Sequence, residues 1–427
     1  MSDDTTAPCG SSCASCPSRD GCPTPARDAR KARTWAEVDL GIIHRNAAVL
    51  LRRLGEAGDD LVAVVKADAY GHGAESVAAE CLRAGVRRFA VASLGEALAL
   101  RRAGLMADVF LLSPFLPEEA EDVVRADLIP MVSSREQAEA LLAASRGAPL
   151  PARCVLKVDT GMGRSGASTG EAQVLWQFLA DANDLRAVGL ATHFSSADEF
   201  DDDAEAATAA QTDAFYACAA ALLADADPNR DDGRGNAGVW LSLENSPAAL
   251  RDCRGARQQG PPPPAVRGHL VRAGLLLYGI EPFAGAFSGL PGLAPALAWK
   301  ARVTLVRDLP AGSTVGYGRT HTLARPSRVA TVAAGYADGL SRRLSNAGTV
   351  LVRGVRCPIV GRVSMDQCQI DVTDVAAPVA AGETVTLIGE DGELRQTVPE
   401  MAERIDTTPH EPTCALSRRV PRIYVRS

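Results

Sequence analysis

The sequence predicts a (β/α)8 barrel over residues 33–288, followed by a C-terminal mostly-β domain over 289–427. From about residue 60 to 280, short apolar runs alternate with Ala/Leu-rich stretches of helical period, the rhythm of repeated strand–helix units. Near 290 that rhythm stops, and short strands separated by Gly, Asp and Pro turns take over. No Gly-x-Gly-x-x-Gly follows an early strand, which counts against the main alternative, a doubly wound dinucleotide sheet.

The elements follow in order. Residues 1–32 are polar and without hydrophobic period, an appended tail. Thr34–Leu40 reads as a strand, and Ile42, Ile43, Ala47, Leu50 and Leu51 repeat at helical spacing after it. Leu61–Val65 precedes a helix near Ala74–Ala84, Arg88–Val91 precedes Glu96–Ala103, and Asp108–Leu112 precedes Pro117–Arg125. Leu128–Val132 precedes Arg135–Ala143, and Cys154–Val158, Leu185–Leu190 and Trp240–Leu243 continue the series. Asp225–Gly238 and the proline-rich Arg251–Val266 read as surface insertions. Strands of the second domain are expected at Leu297–Leu309, Ser327–Ala334, Gly348–Val352, Pro358–Val363, Gln369–Val372 and Thr384–Ile388.

A net charge of −7 argues against nucleic acid and against a basic membrane face. No apolar run reaches spanning length, and the N-terminus has no apolar signal core, so a cytoplasmic protein is expected. The cysteine total, 11, is odd, and most are scattered in apolar stretches, which suits reduced thiols rather than a disulfide framework.

The most informative segment is Ala63-Val-Val-Lys66-Ala-Asp-Ala-Tyr70-Gly-His-Gly73. An apolar run ends in a lysine. Desolvation there disfavours the ammonium form, and a neutral amine attacks an aldehyde, so Lys66 is suited to hold a cofactor as a Schiff base. Four further segments stand at expected strand ends, where barrel side chains converge. Lys157-Val-Asp-Thr-Gly-Met-Gly-Arg164 places an arginine behind two glycines, able to donate to an oxygen anion. Thr192–Asp198 carries His193, one of six histidines. Glu244-Asn245-Ser246 and Arg272-Ala-Gly274-Leu275 come where strands seven and eight end, the usual phosphate position of a barrel. Ser246, Gly274 and Leu275 suit that role. Arg272, always protonated, would keep a facing pyridine nitrogen unprotonated and so limit side reactions such as transamination. In the second domain, Gly316-Tyr317-Gly318, Gly335-Tyr336-Ala-Asp-Gly339 and Gly361-Arg362-Val-Ser-Met365-Asp366 mark tight turns.

Alone, each pattern is common; their succession is not. Together with Arg33-x-Trp35-x-Glu37-x-Asp39-Leu40 and Arg419-Val-Pro-Arg422-x-Tyr424, the chain over residues 33–427 resembles the alanine racemase family. The resemblance implies a homodimeric pyridoxal-phosphate enzyme whose sites combine one subunit's barrel with its partner's β domain. It implies two bases, Lys66 and the partner subunit's Tyr317, for L- and D-alanine exchange, with D-alanine going to peptidoglycan. A phenol is a poor base at neutral pH, so His193 and Arg272 are expected to support the transfer. Lys66, Tyr70, Arg164, Asn245, Ser246, Arg272, Gly274, Leu275 and Tyr424 are the implied cofactor residues. Arg164, Met365, Tyr336 and Asp366 are the implied substrate residues, with Arg343 and Arg362 along the corridor and Tyr336 and Tyr424 narrowing its mouth. Lys157 is the position the family can carbamylate.

The chain departs from the family in two places that bear on Arg272. Ser242 stands where a histidine is usual, and Ala273 where proline is. The tail is also foreign to the pattern: Cys9, Cys13, Cys16 and Cys22 are spaced to hold an iron–sulfur cluster or a zinc ion. The alternatives are a serine or broad-specificity racemase, a basic-amino-acid decarboxylase of the same fold, and a pyridoxal-phosphate carrier. The carrier would lack the second domain and Tyr317. The decarboxylase would carry a cysteine-centred motif where this chain has Met365-Asp366-Gln367.

Overall fold

The polypeptide enters through the second domain's sheet before it builds the barrel. The computed structural model describes residues 32–224, 226, 237–251 and 263–427. Strand β1 (Thr34–Asp39) pairs antiparallel with Leu297–Leu309 and parallel with the final strand, Arg422–Val425. The sequence places β1 at the head of the barrel segment; the structure gives it to the other sheet. Thr34 fixes the join, accepting a bond from the buried Trp299 indole (2.9 Å) and donating to the Lys300 carbonyl (3.1 Å).

Asp39 then ends the strand by capping the helix Leu40–Glu56 through the Ile42 amide. Ile43, Ala47, Leu50 and Leu54 of that helix are buried, the one-face spacing that helical period requires. Eight parallel strands follow: β2 (Asp60–Val64), β3 (Arg88–Val91), β4 (Asp108–Leu111), β5 (Ile129–Val132), β6 (Ala152–Lys157), β7 (Leu185–Ala191), β8 (Val239–Ser242) and β9 (Val266–Ala273). They close into a barrel, and at the seam Val62 of β2 stands opposite Arg272 of β9. An open doubly wound sheet is thereby ruled out. Val62, Phe110, Met131, Val155, Leu190 and Leu270 fill the interior, so the barrel is a packed core that supports its rim.

The helices between strands start where their sequences say. Ser93 with Glu96, and Ser168 with Glu171, form capping boxes that satisfy otherwise orphaned amides, worth roughly 0.5–2 kcal/mol each. Most of both expected insertions, and the tail with Cys9, Cys13, Cys16 and Cys22, lie outside the described residues. Among the described residues no cluster of His, Cys, Asp or Glu is arranged for a metal ion, and no helix is long and apolar enough to cross a membrane.

The second domain is built on the long strand Leu297–Leu309, which pairs with Ser327–Val332, with Thr384–Asp391 and with β1. Its alternating burial is that of a sheet with one covered face. One segment departs from any expectation drawn from pattern. Beyond Lys66 the backbone makes a left-handed helical turn, with Ala67, Asp68, Ala69 and Tyr70 all at φ between 51° and 54°.

Candidate active site

The barrel brings Lys66, Lys157, His193, Ser242 and Arg272 to the C-terminal ends of β2, β6, β7, β8 and β9. Burial holds the Lys66 amine below its usual pKa, and the Arg164 and Arg272 guanidiniums push it the same way. Lys157, 6% exposed, is pushed well below the lysine range by burial and then by Arg272 and Arg164. Arg164 itself is exposed, on a loop whose Gly161, Met162 and Gly163 amides all donate to the Asp159 carboxylate at 2.9 Å. The sequence signal at Lys66 is therefore real in electrostatic terms: a crowded set of cations favours neutral amines.

Arg272 is held in a cage of acceptors. Its guanidinium donates to the Thr192 carbonyl (3.0 Å), the Leu243 carbonyl (3.0 Å), His193 Nδ1 (2.9 Å) and Ser242 Oγ (2.5 Å). Ser242 in turn donates to the Leu270 carbonyl at 2.7 Å. Its one proton is thus committed downward, and it meets Arg272 as an acceptor. The serine in place of the usual histidine still supports the arginine directly. Because the guanidinium only donates, His193 Nδ1 must be the acceptor, which puts the proton of the neutral ring on Nε2. Burial, then Arg272, keeps the His193 pKa well below its usual value. Burial draws Arg272 itself down to about 10, still charged at neutral pH.

Beside this cluster Tyr70, Ser246 and Gly274 come together. The Gly274 amide donates to Ser246 Oγ at 2.9 Å, and both residues are buried. Gly274 is required by close approach: a Cβ there would sit 2.4 Å from Tyr70 Oη. Tyr70, Ser246, Gly274 and the following Leu275 are therefore brought together as the sequence expects. Asn245 is otherwise used, its side-chain oxygen accepting from the Ala248 amide at 3.1 Å. The Tyr424 hydroxyl bonds Ser76 and presses on Gly73. An amine of lowered basicity at one end and hydroxyls with an amide at the other fit a phosphorylated aldehyde.

The second-domain residues form a separate face. Tyr317, Tyr336 and Met365 are 72%, 45% and 52% exposed. The Tyr336 and Ala337 amides donate to the Ser364 and Met365 carbonyls at 3.0 Å, so those two loops move as one. Asn346 ties in the third by bonding Thr320 and the Gly361 amide. Asp366 pairs with Arg419 (2.8 Å), and Arg343 donates to the Ile405 carbonyl.

Two residues near the lysine escaped the sequence reading. The His410 ring lies 5.7 Å from that of Tyr70, and its pKa is lowered by burial and then by Lys66. Cys414, on the same segment, is a thiol whose pKa is pushed up by burial. A lone histidine in a polar C-terminal stretch carries no pattern that could have flagged it.

Fold and site together define a class: an eight-stranded parallel barrel with buried basic and polar side chains gathered at the C-terminal mouth of its strands, joined to a mostly-β domain. Residues 38–282 match the family model of the alanine racemase N-terminal domain, and residues 296–424 that of the C-terminal domain. The chain belongs to the alanine racemase family, and is an isomerase. It is 40% identical over 392 residues to the alanine racemase of Symbiobacterium thermophilum, covering 92% of this chain and 97% of that one. The structure of alanine racemase from Bacillus anthracis with bound L-Ala-P superposes with a TM-score of 0.79 at 33% identity, covering 93% of this chain and 96% of the other. That of alanine racemase from Bartonella henselae with covalently bound pyridoxal phosphate gives 0.75 at 29% identity, covering 92% and 100%. The match to both domains leaves no support for the carrier reading.

Proposed function

We propose that the protein interconverts L- and D-alanine, with pyridoxal phosphate attached at Lys66 and the site completed by a second copy of the chain. The observation that carries this reading is the pairing of a desolvated Lys66 with the Tyr70–Ser246–Gly274 cradle, the two ends that cofactor needs. When bound, the cofactor supplies the electron-withdrawing ring that makes the substrate's Cα–H acidic.

The residues then divide the work. Lys66, its basicity lowered by burial, would take or return the proton on the D face once substrate has displaced it from the cofactor. The partner subunit's Tyr317 does so on the L face. His193 has Nδ1 occupied by Arg272 and its proton on Nε2, so Nε2–H is placed to donate a hydrogen bond to that phenol's oxygen and favour its phenolate. Arg272, fixed by Ser242, Thr192 and Leu243, keeps a positive charge against the ring nitrogen. Met365 binds the substrate carboxylate through its amide, Asp366, Arg343 and Arg362 line the approach, and the partner's Tyr336 narrows it to a small side chain. The buried Lys157 amine, whose basicity is lowered, is suited to take up carbon dioxide, releasing a proton and gaining a carbamate charge that would offset the cations around it and position Arg164. Buried free thiols at Cys81, Cys154, Cys357 and Cys368 fit a reducing, cytoplasmic setting, with D-alanine going to peptidoglycan.

Hybrid dimers test the shared site. Lys66→Ala and Tyr317→Phe chains, each inactive alone, are mixed and reassociated. One intact site per hybrid restores about a quarter of wild-type alanine racemisation if Tyr317 crosses between subunits. No recovery means that both bases belong to one chain. Serine, offered in parallel, is expected to turn over more slowly than alanine; the reverse order would favour a serine racemase.

A further inference from the structure

The left-handed turn after Lys66 is costly. Each L-residue in that conformation costs roughly 1–2 kcal/mol, and four stand in succession, none of them glycine. Yet the turn sets the whole cofactor pocket, because it begins at the amine of Lys66 and ends at Tyr70, whose hydroxyl abuts Gly274. Something must hold it.

Backbone bonds do part of this: Ala69 to Val65 and Gly71 to Ala67, at 2.9 and 3.0 Å. The Ala67 amide is held by Glu96 at 2.7 Å. The Asp68 and Ala69 carbonyls also accept from the Gly73 and His72 amides, at 2.9 and 3.0 Å, and the Ala69 and Tyr70 carbonyls both meet one side chain. His72 is 0% exposed, with its ring 4.5 Å from that of Tyr278. Its Nδ1 lies 3.0 Å from both the Ala69 and the Tyr70 carbonyl oxygens. Carbonyls only accept, so Nδ1 carries the proton and donates to both. Nε2 is then a buried acceptor with no hydrogen-bond partner. An unmatched buried acceptor costs roughly 1–3 kcal/mol, a penalty that a leucine or phenylalanine would avoid. An apolar filler would avoid that penalty; a side chain needed as a donor at that point accepts it.

Resting on the cofactor reading above, we propose that His72 is a positioning residue: its Nδ1–H clamps the left-handed turn and so fixes Lys66 and Tyr70 relative to each other. It touches neither cofactor nor substrate. The clamp determines whether amine and phosphate cradle are presented to the same molecule.

The test uses the full chain, freed of cofactor and titrated with pyridoxal phosphate or with pyridoxal, which lacks the phosphate. His72→Leu is expected to raise the Kd for pyridoxal phosphate about tenfold or more, and that for pyridoxal less, since Tyr70 lies at the phosphate end. His72→Asn, whose amide nitrogen can replace Nδ1, is expected to stay within about threefold of wild type. Should His72→Leu not fold by circular dichroism, His72→Gln, with its amide one methylene too far, takes its place. Wild-type affinity in the Leu or Gln variant overturns the clamp, as does an Asn variant as weak as Leu. A wild-type chain that binds no pyridoxal phosphate would instead overturn the functional reading.

Discussion

The barrel mouth and the Tyr317 face of the second domain differ in how finished they are. At the mouth the central arginine is buried and spoken for: Arg272 is 6% exposed and donates to four acceptors. On the second domain, Tyr317, Tyr336 and Met365 stand in solvent on loops braced by their own backbone. Exposed aromatic and thioether side chains of this kind suit a contact surface. Under the proposed shared site, in which groups stand on opposite faces of a flat substrate, one half would be complete and the other open until a second copy docks.

That contrast can be broken from either side. The largest effect is expected for Lys66→Ala, which removes the amine and with it covalent cofactor attachment; absorbance of the purified protein in the visible checks this. Next comes Arg272→Lys. A single ammonium cannot reproduce four donated bonds, and a fall of about a hundredfold in kcat/KM is expected, with little change if the arginine only neutralises charge. Ser242→Ala is milder. It leaves one Arg272 nitrogen and the Leu270 carbonyl unmatched, at roughly 1–3 kcal/mol, so about a tenfold loss is expected. A Ser242→Ala enzyme with wild-type kinetics would mean that the other three acceptors suffice.

The smallest effect is on pH dependence. Burial, aided by the Arg422 charge, holds His72 down to about 4, with Tyr278 packed on its ring and the Ala69 and Tyr70 carbonyls on Nδ1. A folded pKa below the unfolded value means that the unfolded chain binds more protons between them. Stability from this group is therefore full above about 6.5 and lost as pH falls toward 4, by up to about 3 kcal/mol. Denaturant midpoints of wild type and His72→Asn should converge across that window; parallel curves would contradict it.

Much of this was legible in the chain. Barrel strands are local patterns, and their ends fall within a residue or two of the expected positions because apolar runs stop where the barrel rim meets water. The placement of Lys66 and Arg272 at the barrel rim was legible because each lies at or just beyond such an end, while Ser246 opens the short helix that follows its strand. The partner of β1 was not, since pairing across some 260 residues leaves no local trace; Trp35 meets Lys300 only in the folded sheet. The left-handed turn was not legible either. Ala-Asp-Ala-Tyr has no residue that prefers positive φ strongly, and what imposes it is a buried histidine further along. His410 reaches Tyr70 through the tertiary fold alone.

The central claim is that two bases flank the substrate, one from each copy of the chain. Exchange of the Cα hydrogen in deuterated water, measured separately from L- and D-alanine in the Tyr317→Phe variant, addresses it most directly. Exchange from L-alanine should slow by about 10²-fold or more while exchange from D-alanine, served by Lys66, changes little. Equal slowing from both enantiomers would contradict the account.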